Sequence, residues 1–336
     1  MNIAVLGAGS WGIALSVLAF RAGGDVVLWG RPGEKFSDLE KTRRTPFFEG
    51  VELPPLRFSS DLAGAVRGAE IVVCALPSPV LPEMARLIAP LLPADAILVS
   101  GTKGLHPGTL ERASQIWMGA GLDAARFVAL SGPNLAREIV AGVPTSSVVA
   151  STNPDAARCA QIAFDAGGFR VYTNADSLGV ELGGALKNVV AIAAGIGDGR
   201  GFGDNAKAAL MTRHWREMAR LATALGARES TLWGLSGLGD LLATCASAQS
   251  RNHRLGRELG RGKTLQDAER EIAQTTEGVH TCRAALELGE KHGVFLPVTA
   301  GLGAILWGGV PVEQVLSGLL NRPGRSEGED DLPQKA

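Results

Sequence analysis

The sequence lacks an excess of charge of either sign. Its 336 residues include 33 lysines and arginines and 34 aspartates and glutamates, which gives a formal net charge of −1. A protein that binds nucleic acid needs a basic surface that displaces counterions from the phosphate backbone. We therefore expect no nucleic acid among the partners of this chain.

Cysteines and histidines are few and scattered. The four cysteines lie far apart and form no CxxC pair, which argues against a structural zinc and against a disulfide framework. The five histidines show neither HExxH nor triad spacing. We expect no metal site, reduced and mostly buried thiols as in a cytoplasmic protein, and histidines with surface or local structural roles.

Long apolar runs are also missing. The most apolar stretch, Val189 to Ile196, is too short to cross a bilayer. The residues after Met1 enter a glycine turn without a basic leader, a long apolar core or a cleavage site. We expect neither a signal peptide nor insertion into a membrane.

Strand-like and helical patterns alternate through the first half of the chain, which is typical of a parallel sheet with helices on both faces. A first helix is predicted at Trp11–Ala22. The predicted strands are Asn2–Leu6, Asp25–Trp29, Ile71–Leu76, Ala96–Ser100, Phe127–Ser131, Thr145–Ala150 and Phe169–Tyr172. The length of the chain, about twice that of an average domain, predicts a second domain.

After Leu178 the strand pattern stops. The predicted elements there are the helices Glu181–Ile196, Asn205–Leu225, Arg254–Gly260, Thr264–Ala273 and Thr281–His292. We therefore predict an α/β Rossmann-like dinucleotide-binding domain over residues 1–178 and an all-helical substrate and catalytic domain over residues 179–321. Residues 322–336 are polar, charged and proline-bearing, and we expect them to be disordered.

The segment Gly7-Ala8-Gly9-Ser10-Trp11-Gly12 matches the GxGxxG pattern of dinucleotide-binding turns. It follows the first predicted strand, opens a helix and precedes a second strand, which is the context that the pattern requires. Gly7 allows the tight turn, Gly9 lets the backbone approach the pyrophosphate, and Gly12 lets helix and strand pack closely. The alternative, a plain turn between a strand and a helix, stays open.

The end of the second predicted strand bears on the choice of cofactor. NAD-binding domains carry Asp or Glu there for the ribose hydroxyls, whereas this chain has Leu28-Trp29-Gly30-Arg31. A guanidinium suits the 2′-phosphate of NADP through paired, charge-assisted hydrogen bonds. NADP(H) is therefore favoured, and NAD(H) stays open because a solvated Arg31 with a ribose contact from Glu34 is the alternative.

Lys187 lies in the stretch Glu181–Asn188, on a predicted helix. Its helical neighbours at three and four residues are Gly183, Gly184, Val190 and Ala191. A solvated lysine needs no floor of glycine and alanine, so we expect a buried lysine that substrate and backbone approach. Such a lysine is a candidate general acid or base, since burial and nearby cations lower its pKa. Asn188 beside it can hydrogen-bond a hydroxyl, and a lysine on the helix surface is the alternative.

Three further segments carry candidate site residues. Lys103 follows a predicted strand, and the carboxyl ends of strands in such sheets face the cofactor crevice. Asp240 lies between glycine and apolar residues, so we expect it to be buried and paired with Lys187. The segment Gln249–Asn252 precedes a predicted helix and joins donors to a helix N-terminus, as in an anion site. An exposed loop lysine and a simple helix cap are the alternatives for the first and third segments.

Seven motifs follow one another along the chain, and their order is informative. They are Gly7–Gly12, Thr102–Leu105, Ser131–Pro133, Glu181–Asn188, Gly237–Leu241, Gln249–Asn252 and Glu277–Gly278. Together they strongly resemble the bacterial NAD(P)-dependent glycerol-3-phosphate dehydrogenases, over nearly the whole chain up to the tail. The lysine and arginine motifs are specific, whereas the glycine turn is shared by many families.

The resemblance implies hydride transfer from NAD(P)H to C2 of dihydroxyacetone phosphate, with Lys187 as the catalytic proton donor and acceptor. The substrate-binding residues that the resemblance implies are Lys103, Gly132, Asn134, Lys187, Asp240, Ser250, Arg251 and Asn252. Asn188 is added to this set because it lies beside Lys187. The cofactor-binding residues that the resemblance implies are Ser10, Trp11, Arg31, Lys103, Ala136, Arg251, Thr275 and Glu277. Gly7, Gly9 and Gly12 are added to this set from the glycine turn. A homodimer, a cytoplasmic location and a product that is a phospholipid precursor are also implied.

Three positions depart from the pattern of the family. Asn134 stands where its members usually carry Ser or Thr, Thr275 replaces an aliphatic residue, and Pro32 follows Arg31. A backbone contact from Thr275 tolerates the change. The other two departures affect the predicted contact of Asn134 with substrate and the predicted contact of Arg31 with the 2′-phosphate.

Two other functions fit parts of the pattern. A dehydrogenase acting on a 3-hydroxy acid or a hydroxyacyl thioester has the same layout, and a phosphate site at Arg251 distinguishes the present chain from it. A non-catalytic NADP-sensing module has no use for the proton donor that Lys187 and Asp240 indicate.

Overall fold

The computed structural model describes residues 1–31, 33, 36–272 and 274–321 of the chain. Pro32 and Glu34, which bear on the predicted choice of cofactor, lie outside these residues. So does the segment 322–336, for which disorder is predicted.

An eight-stranded sheet forms the first half of the fold. Its strands are β1 (Asn2–Leu6), β2 (Asp25–Trp29), β3 (Arg57–Ser59), β4 (Ile71–Cys74), β5 (Ile97–Ser100), β6 (Phe127–Ser131), β7 (Thr145–Ala150) and β8 (Phe169–Asn174). They lie in the order β3-β2-β1-β4-β5-β6-β7-β8, and every neighbouring pair is parallel except β6 and β7. The first six strands have the order of a doubly wound dinucleotide-binding sheet. The direction of winding reverses between β1 and β4, so a crevice opens at their carboxyl ends.

Helices cover both faces of this sheet. They are α1 (Ser10–Arg21), α2 (Phe36–Thr42), α3 (Leu62–Val66), α4 (Leu81–Ile88), α5 (Ala113–Gly119), α6 (Ala136–Val140) and α7 (Pro154–Phe164). Successive strand residues point to opposite faces, so Ile3 and Val5 join one buried cluster while Ala4 and Leu6 join another. Residues of α1, α6 and α7 close the first cluster, and residues of α3, α4 and α5 close the second. The predicted sheet with helices on both faces is confirmed, but the pairing of β6 with β7 is antiparallel and not parallel as predicted.

The second half consists of helices in the described residues. They are α8 (Ser177–Gly199), α9 (Asp204–Ala224), α10 (Glu229–Leu232), α11 (Asp240–Ala246), α12 (Arg251–Gly260), α13 (Leu265–Ile272), α14 (Glu277–His292), α15 (Pro297–Gly308) and α16 (Val312–Leu320). The helix α8 is long and apolar enough to cross a membrane, but 94% of its most apolar window is buried inside the protein. It is the central core helix, and α9, α11, α12 and α14 pack around it.

Two glycines let α12 lie directly on α8. A Cβ atom on Gly256 of α12 would collide with the carbonyl oxygen of Ile192, and one on Gly195 of α8 would collide with that of His253. The two backbones are therefore in contact without intervening side chains. This crossing brings the first turn of α12 close to the middle of α8, where Lys187 lies.

Several predicted boundaries are wrong. The helix predicted at Arg254–Gly260 begins at Arg251, so Arg251 and Asn252 form its first turn and do not precede it. The helix predicted from Thr281 begins at Glu277. The first turn of α12 is polar, and that of α14 contains a single apolar side chain, Val279, so the apolar periodicity on which the prediction relied starts later.

Several elements were not predicted, among them β3, the short helices α10 and α11, and the last two helices. The strand β3 has three residues, too few to show an alternating pattern. The helix α15 is apolar around most of its circumference. The sequence features that mark its ends are Pro297 in the first turn and Gly309, which has a left-handed backbone conformation, after the last turn. The helix α16 begins directly after Pro311. The division at residue 178 stays a prediction, since α8 contributes Val180 to a core of the sheet and Leu182 to the helical core.

Candidate active site

The glycine turn after β1 is tight on one side and open on the other. Gly7 has a φ of +112°, and its Cβ position lies 3.1 Å from the carbonyl oxygen of Ala75, directly after β4. A Cβ on Gly12 would collide with the Gly7 carbonyl, so this glycine packs the helix on the turn itself and not on the strand. Nothing lies within 4 Å of the Cβ position of Gly9 at the start of α1. An anionic group can therefore approach the helix N-terminus at Gly9.

Trp11 connects this turn to the loop after β5. Its indole Nε1 donates a hydrogen bond of 2.9 Å to the carbonyl oxygen of Gly101. The Nζ atom of Lys103 lies 5.5 Å from the centre of the indole ring, within range of a cation–π interaction. The side chain of Trp11 thus supports Lys103, a role that the motif alone did not indicate.

Two lysines share one buried carboxylate at the carboxyl ends of β5 and β6. The Nζ atoms of Lys103 and Lys187 lie 2.8 and 2.9 Å from the two oxygens of Asp240. Lys103 also donates to the carbonyl oxygen of Gly132, at 2.9 Å. Lys187 is 8% exposed and Asp240 is 1% exposed. The expected pairing of Lys187 with Asp240 is present, and the alternative of a surface lysine is excluded.

Thr244 is a member of this cluster that sequence reasoning missed. Its hydroxyl accepts a hydrogen bond of 2.6 Å from the Lys187 ammonium and donates one of 3.1 Å to Asp240. Thr244 lies one helical turn after Asp240 on α11, so the two side chains share a face. That spacing, in an otherwise apolar helix, was the signal available in the sequence.

Two groups of the cluster, Lys103 and Asp240, have shifted pKa values. Burial lowers the pKa of Lys103 to about 8, although Asp240 opposes the change. Burial alone would raise the pKa of Asp240, but the two ammonium groups outweigh it and hold that pKa below its usual range. With all three groups ionised the cluster carries one net positive charge, which suits an anionic ligand. Within the described ranges, no group of three or more His, Cys, Asp or Glu side chains is placed to hold a metal ion.

Other segments of the protein pack against the two glycines that precede Lys187 on α8. The Cβ position of Gly183 lies 2.8 Å from the carbonyl oxygen of Ser236, and a Cβ on Gly184 would collide with the hydroxyl of Ser131 on β6. The expected close approach of other segments to this face of α8 is therefore present. An approach of substrate to the same face stays a prediction.

Asn188 and Asn252 link four segments around the cluster. Asn188 donates to the carbonyl oxygen of Lys103 and accepts from the amide of Asn252, both at 2.9 Å. Asn252 in turn accepts from the backbone N–H of Gly278, at 3.0 Å. The two side chains hold together the loop after β5, α8, α12 and α14, and their predicted contacts with substrate stay predictions.

The first turns of α12 and α14 add an arginine and a glutamate. Ser250 caps α12 by accepting the backbone N–H of His253 at 3.2 Å. Arg251 is partly buried, and its side chain makes no hydrogen bond or ion pair with any residue that the structure describes. Burial lowers the pKa of Arg251, and Glu277 opposes this change. Glu277 accepts the backbone N–H of Ser78 at 2.9 Å, which ties α14 to the loop after β4.

Within the described part of the chain, the predicted site residues without a hydrogen bond to the lysine cluster include Asn134, Ala136, Arg31 and Thr275. Asn134 directs its amide at β7, where its Oδ1 accepts from the hydroxyl of Ser147 at 3.1 Å. Ala136 begins α6, Arg31 is exposed two residues after β2, and Thr275 lies in the loop before α14. Their predicted contacts with substrate or cofactor stay predictions.

The chain matches two family models. They are described as the N-terminus and the C-terminus of NAD-dependent glycerol-3-phosphate dehydrogenase, and they match residues 2–157 and 176–317. The glycerol-3-phosphate dehydrogenase (NAD(P)+) of Moorella thermoacetica is 44% identical over 330 residues, which cover 98% of each chain. The enzyme of the same name from Streptomyces avermitilis is 45% identical over 330 residues, covering 97% of this chain and 98% of its own.

A solved structure agrees with these matches. The crystal structure of glycerol-3-phosphate dehydrogenase from Coxiella burnetii superimposes with a TM-score of 0.88 at 35% sequence identity. The superposition covers 96% of this chain and 99% of that one. The predicted resemblance and the predicted fold, a Rossmann-like domain followed by helices, are confirmed.

Proposed function

We propose that this chain, which belongs to the NAD-dependent glycerol-3-phosphate dehydrogenase family, catalyses the reversible reduction of dihydroxyacetone phosphate to sn-glycerol 3-phosphate. The observation that carries the proposal is the buried cluster of Lys103, Asp240 and Lys187 beside the glycine turn. Two ammonium groups around one carboxylate suit an anionic substrate on whose oxygen negative charge develops.

Lys187 is the proposed proton donor. A nicotinamide bound in the crevice would supply a hydride for C2 of the ketone. Lys187 gives a proton to the oxygen at C2 as charge develops there, and takes it back in the reverse direction. The ketone thereby gains one hydride and one proton and becomes a secondary alcohol, and solvent restores the proton of Lys187. Asp240 and Thr244 hold the ammonium in place through contacts of 2.9 and 2.6 Å.

Arg251 is the proposed anchor of the substrate phosphate. Its guanidinium is partly buried and unpaired among the described residues, at the N-terminus of the ten-residue helix α12. A guanidinium binds phosphate through paired hydrogen bonds, and a helix N-terminus favours an anion. This arrangement favours a phosphorylated substrate over a 3-hydroxy acid or a hydroxyacyl thioester. The residues proposed to contact substrate beside it are Lys103, Gly132, Asn134, Lys187, Asn188, Asp240, Ser250 and Asn252.

The crevice at the glycine turn is the proposed cofactor site. The open side of Gly9 and the N-terminus of α1 fit a pyrophosphate, and exposed Arg31 fits the 2′-phosphate of NADP. NADP(H) is therefore the preferred cofactor of the proposal, with NAD(H) as the second. The other residues proposed to contact it are Gly7, Ser10, Trp11, Gly12, Lys103, Ala136, Arg251, Thr275 and Glu277.

The experiment that tests the proposed activity is a direct assay. The purified chain is mixed with dihydroxyacetone phosphate and NADPH or NADH, and the absorbance of the reduced nicotinamide is followed. We expect turnover with dihydroxyacetone phosphate and little with dihydroxyacetone, which lacks the phosphate. Oxidation of a 3-hydroxy acid without reduction of dihydroxyacetone phosphate would refute the proposal.

The wider context of the enzyme is proposed from the resemblance to its family. We propose a homodimer in the cytoplasm whose product supplies the backbone of glycerophospholipids. Light scattering on the purified chain tests the dimer, and a monomer at all accessible concentrations contradicts it. Loss of glycerophospholipid synthesis on depletion of the chain, restored by added glycerol 3-phosphate, tests the supply of the backbone.

A further inference from the structure

The carboxylate of Glu181 joins α8 to α5, and the proposed chemistry does not use it. Its Oε1 accepts the backbone N–H of Ser114 at 2.8 Å. Its Oε2 accepts the Ser114 hydroxyl and the Arg112 guanidinium, both at 2.6 Å. The side chain of Glu181 is 6% exposed. Three donors on one buried carboxylate form a strong connection, because hydrogen bonds to a charged group are about twice as strong as neutral ones.

The partner of Glu181 belongs to the rigid part of the sheet domain. Ser114 lies in the first turn of α5, whose Ile116 and Trp117 are buried in one of the two cores of the sheet. Leu81 and Ile88 of α4 belong to the same core. The helix α5 therefore moves with the sheet, and so does any group that is bound to it.

Lys187 lies on the same helix as Glu181, six residues further on. At 1.5 Å per residue the two are roughly 9 Å apart along the helix axis. The ammonium of Lys187 is held by Asp240 and Thr244, which both belong to α11. Glu181 holds the other end of this stretch of α8 to the sheet domain through a charged group. The uncharged contacts beside it include the packing of Val180 in a core of the sheet and the hydrogen bond from Asn188 to the Lys103 carbonyl.

We propose that Glu181 is a positioning residue that sets the place of Lys187 relative to the sheet domain. The inference rests on the proposed function, in which the sheet domain holds the hydride donor and α8 holds the proton donor. Both must reach one carbonyl group, with reacting atoms about 3–3.5 Å apart. A misplacement of about 1 Å costs about 100-fold in rate. The hydrogen bonds between Glu181 and the start of α5 therefore affect the rate of the chemical step, although Glu181 contacts neither substrate nor cofactor.

Glu217 provides a matched control within the same chain. It is a second buried glutamate, on α9, and it too accepts three hydrogen bonds at the start of a helix. Its partners are the backbone N–H groups of Val298 and Thr299 and the hydroxyl of Thr299, all on α15. Burial raises the pKa of Glu217 to about 7, so the assays are run near pH 8, where it is ionised. Replacement of either glutamate by glutamine removes a charge and spoils one cap.

The test compares Glu181→Gln with Glu217→Gln in the full chain, at matched folded fraction measured by circular dichroism. We expect kcat for dihydroxyacetone phosphate to fall about tenfold or more in Glu181→Gln. The Kd of NADPH is expected to be unchanged, and the isotope effect on kcat with 4-deuterated NADPH to rise as hydride transfer becomes limiting. In Glu217→Gln we expect kcat and the isotope effect of the wild type.

Ser114→Ala provides a milder variant, in case Glu181→Gln does not fold. It removes one of the three donors to Glu181, and we expect a smaller loss of kcat in the same direction. Wild-type kcat in the folded Glu181 and Ser114 variants, or an equal loss in Glu217→Gln, overturns the inference. A wild-type chain that fails to reduce dihydroxyacetone phosphate refutes the proposed function, and this inference with it, before any variant is compared.

Discussion

Replacing Asp240 by asparagine removes the one carboxylate that Lys103 and Lys187 share. Its oxygens lie 2.8 and 2.9 Å from the two Nζ atoms, and the residue is 1% exposed. The amide keeps the shape of the side chain but leaves the buried Lys187 ammonium and the partly buried Lys103 ammonium without a counter-charge. Breaking a buried ion pair in this way costs about 3–5 kcal/mol. We expect a loss of that size in the free energy of unfolding, measured by urea denaturation at neutral pH.

The same variant is expected to change the pH dependence of activity. Burial lowers the pKa of Lys103 to about 8, and the charge of Asp240 opposes this. If the protonated form of Lys103 binds substrate, kcat/KM for dihydroxyacetone phosphate falls about tenfold per pH unit once the pH exceeds the pKa. The decline starts near pH 8 in the wild type. In Asp240→Asn the pKa of Lys103 falls further, so the decline starts at lower pH.

Initial rates measured across neutral and alkaline pH show where the decline in kcat/KM starts in the wild type and in Asp240→Asn. The variant Lys103→Arg serves as the control, because its side chain keeps a positive charge throughout the range and is expected to show no such decline. An Asp240→Asn variant whose activity still declines from pH 8 would refute the reasoning. Asp240 would then not govern the charge of Lys103.

Three further substitutions test other parts of the account. Arg251→Ala is expected to raise KM for dihydroxyacetone phosphate about 10- to 100-fold in steady-state kinetics, since a hydrogen bond to a charged group contributes about 1.5–3 kcal/mol. An equal loss of kcat/KM with dihydroxyacetone, which has no phosphate, contradicts a phosphate site at Arg251. Arg31→Ala is expected to weaken binding of NADPH but not of NADH in fluorescence titrations, and equal weakening of both contradicts the 2′-phosphate contact. Gly256→Ala drives a methyl group into the Ile192 carbonyl and is expected to cost about 1–3 kcal/mol of unfolding free energy. Gly197→Ala, whose methyl group would make only ordinary contacts, is its control in the same denaturation experiment.

Local pattern sufficed to predict seven of the eight strands and the burial of the central lysine. Strands β1, β2, β6 and β7 have the predicted bounds because a glycine or a polar residue directly follows each of them. The burial of Lys187 followed from the glycines and apolar residues one turn away from it. The pairing with Asp240 followed from an acid placed between glycine and leucine, where a lone charge is unfavourable.

What could not be predicted depends on contacts between distant segments. Lys103 and Asp240 are 137 positions apart in sequence, and no local pattern shows that both lysines use the same carboxylate. The role of Trp11 beneath Lys103 depends on the adjacency of β1, β4 and β5, which only the strand order provides. The late predicted start of α12 had a different origin, because a polar first turn hid the helix and only the cap at Ser250 marked it.

The central claim is that the Lys187 ammonium delivers the proton to the oxygen at C2. Its most direct test is kcat of Lys187→Ala for reduction of dihydroxyacetone phosphate, measured with the Kd of NADPH. We expect kcat to fall about 100- to 10,000-fold with NADPH binding unchanged, and added small primary amines to restore part of the rate. A variant that folds, binds NADPH and reduces dihydroxyacetone phosphate at nearly the wild-type rate would contradict the account.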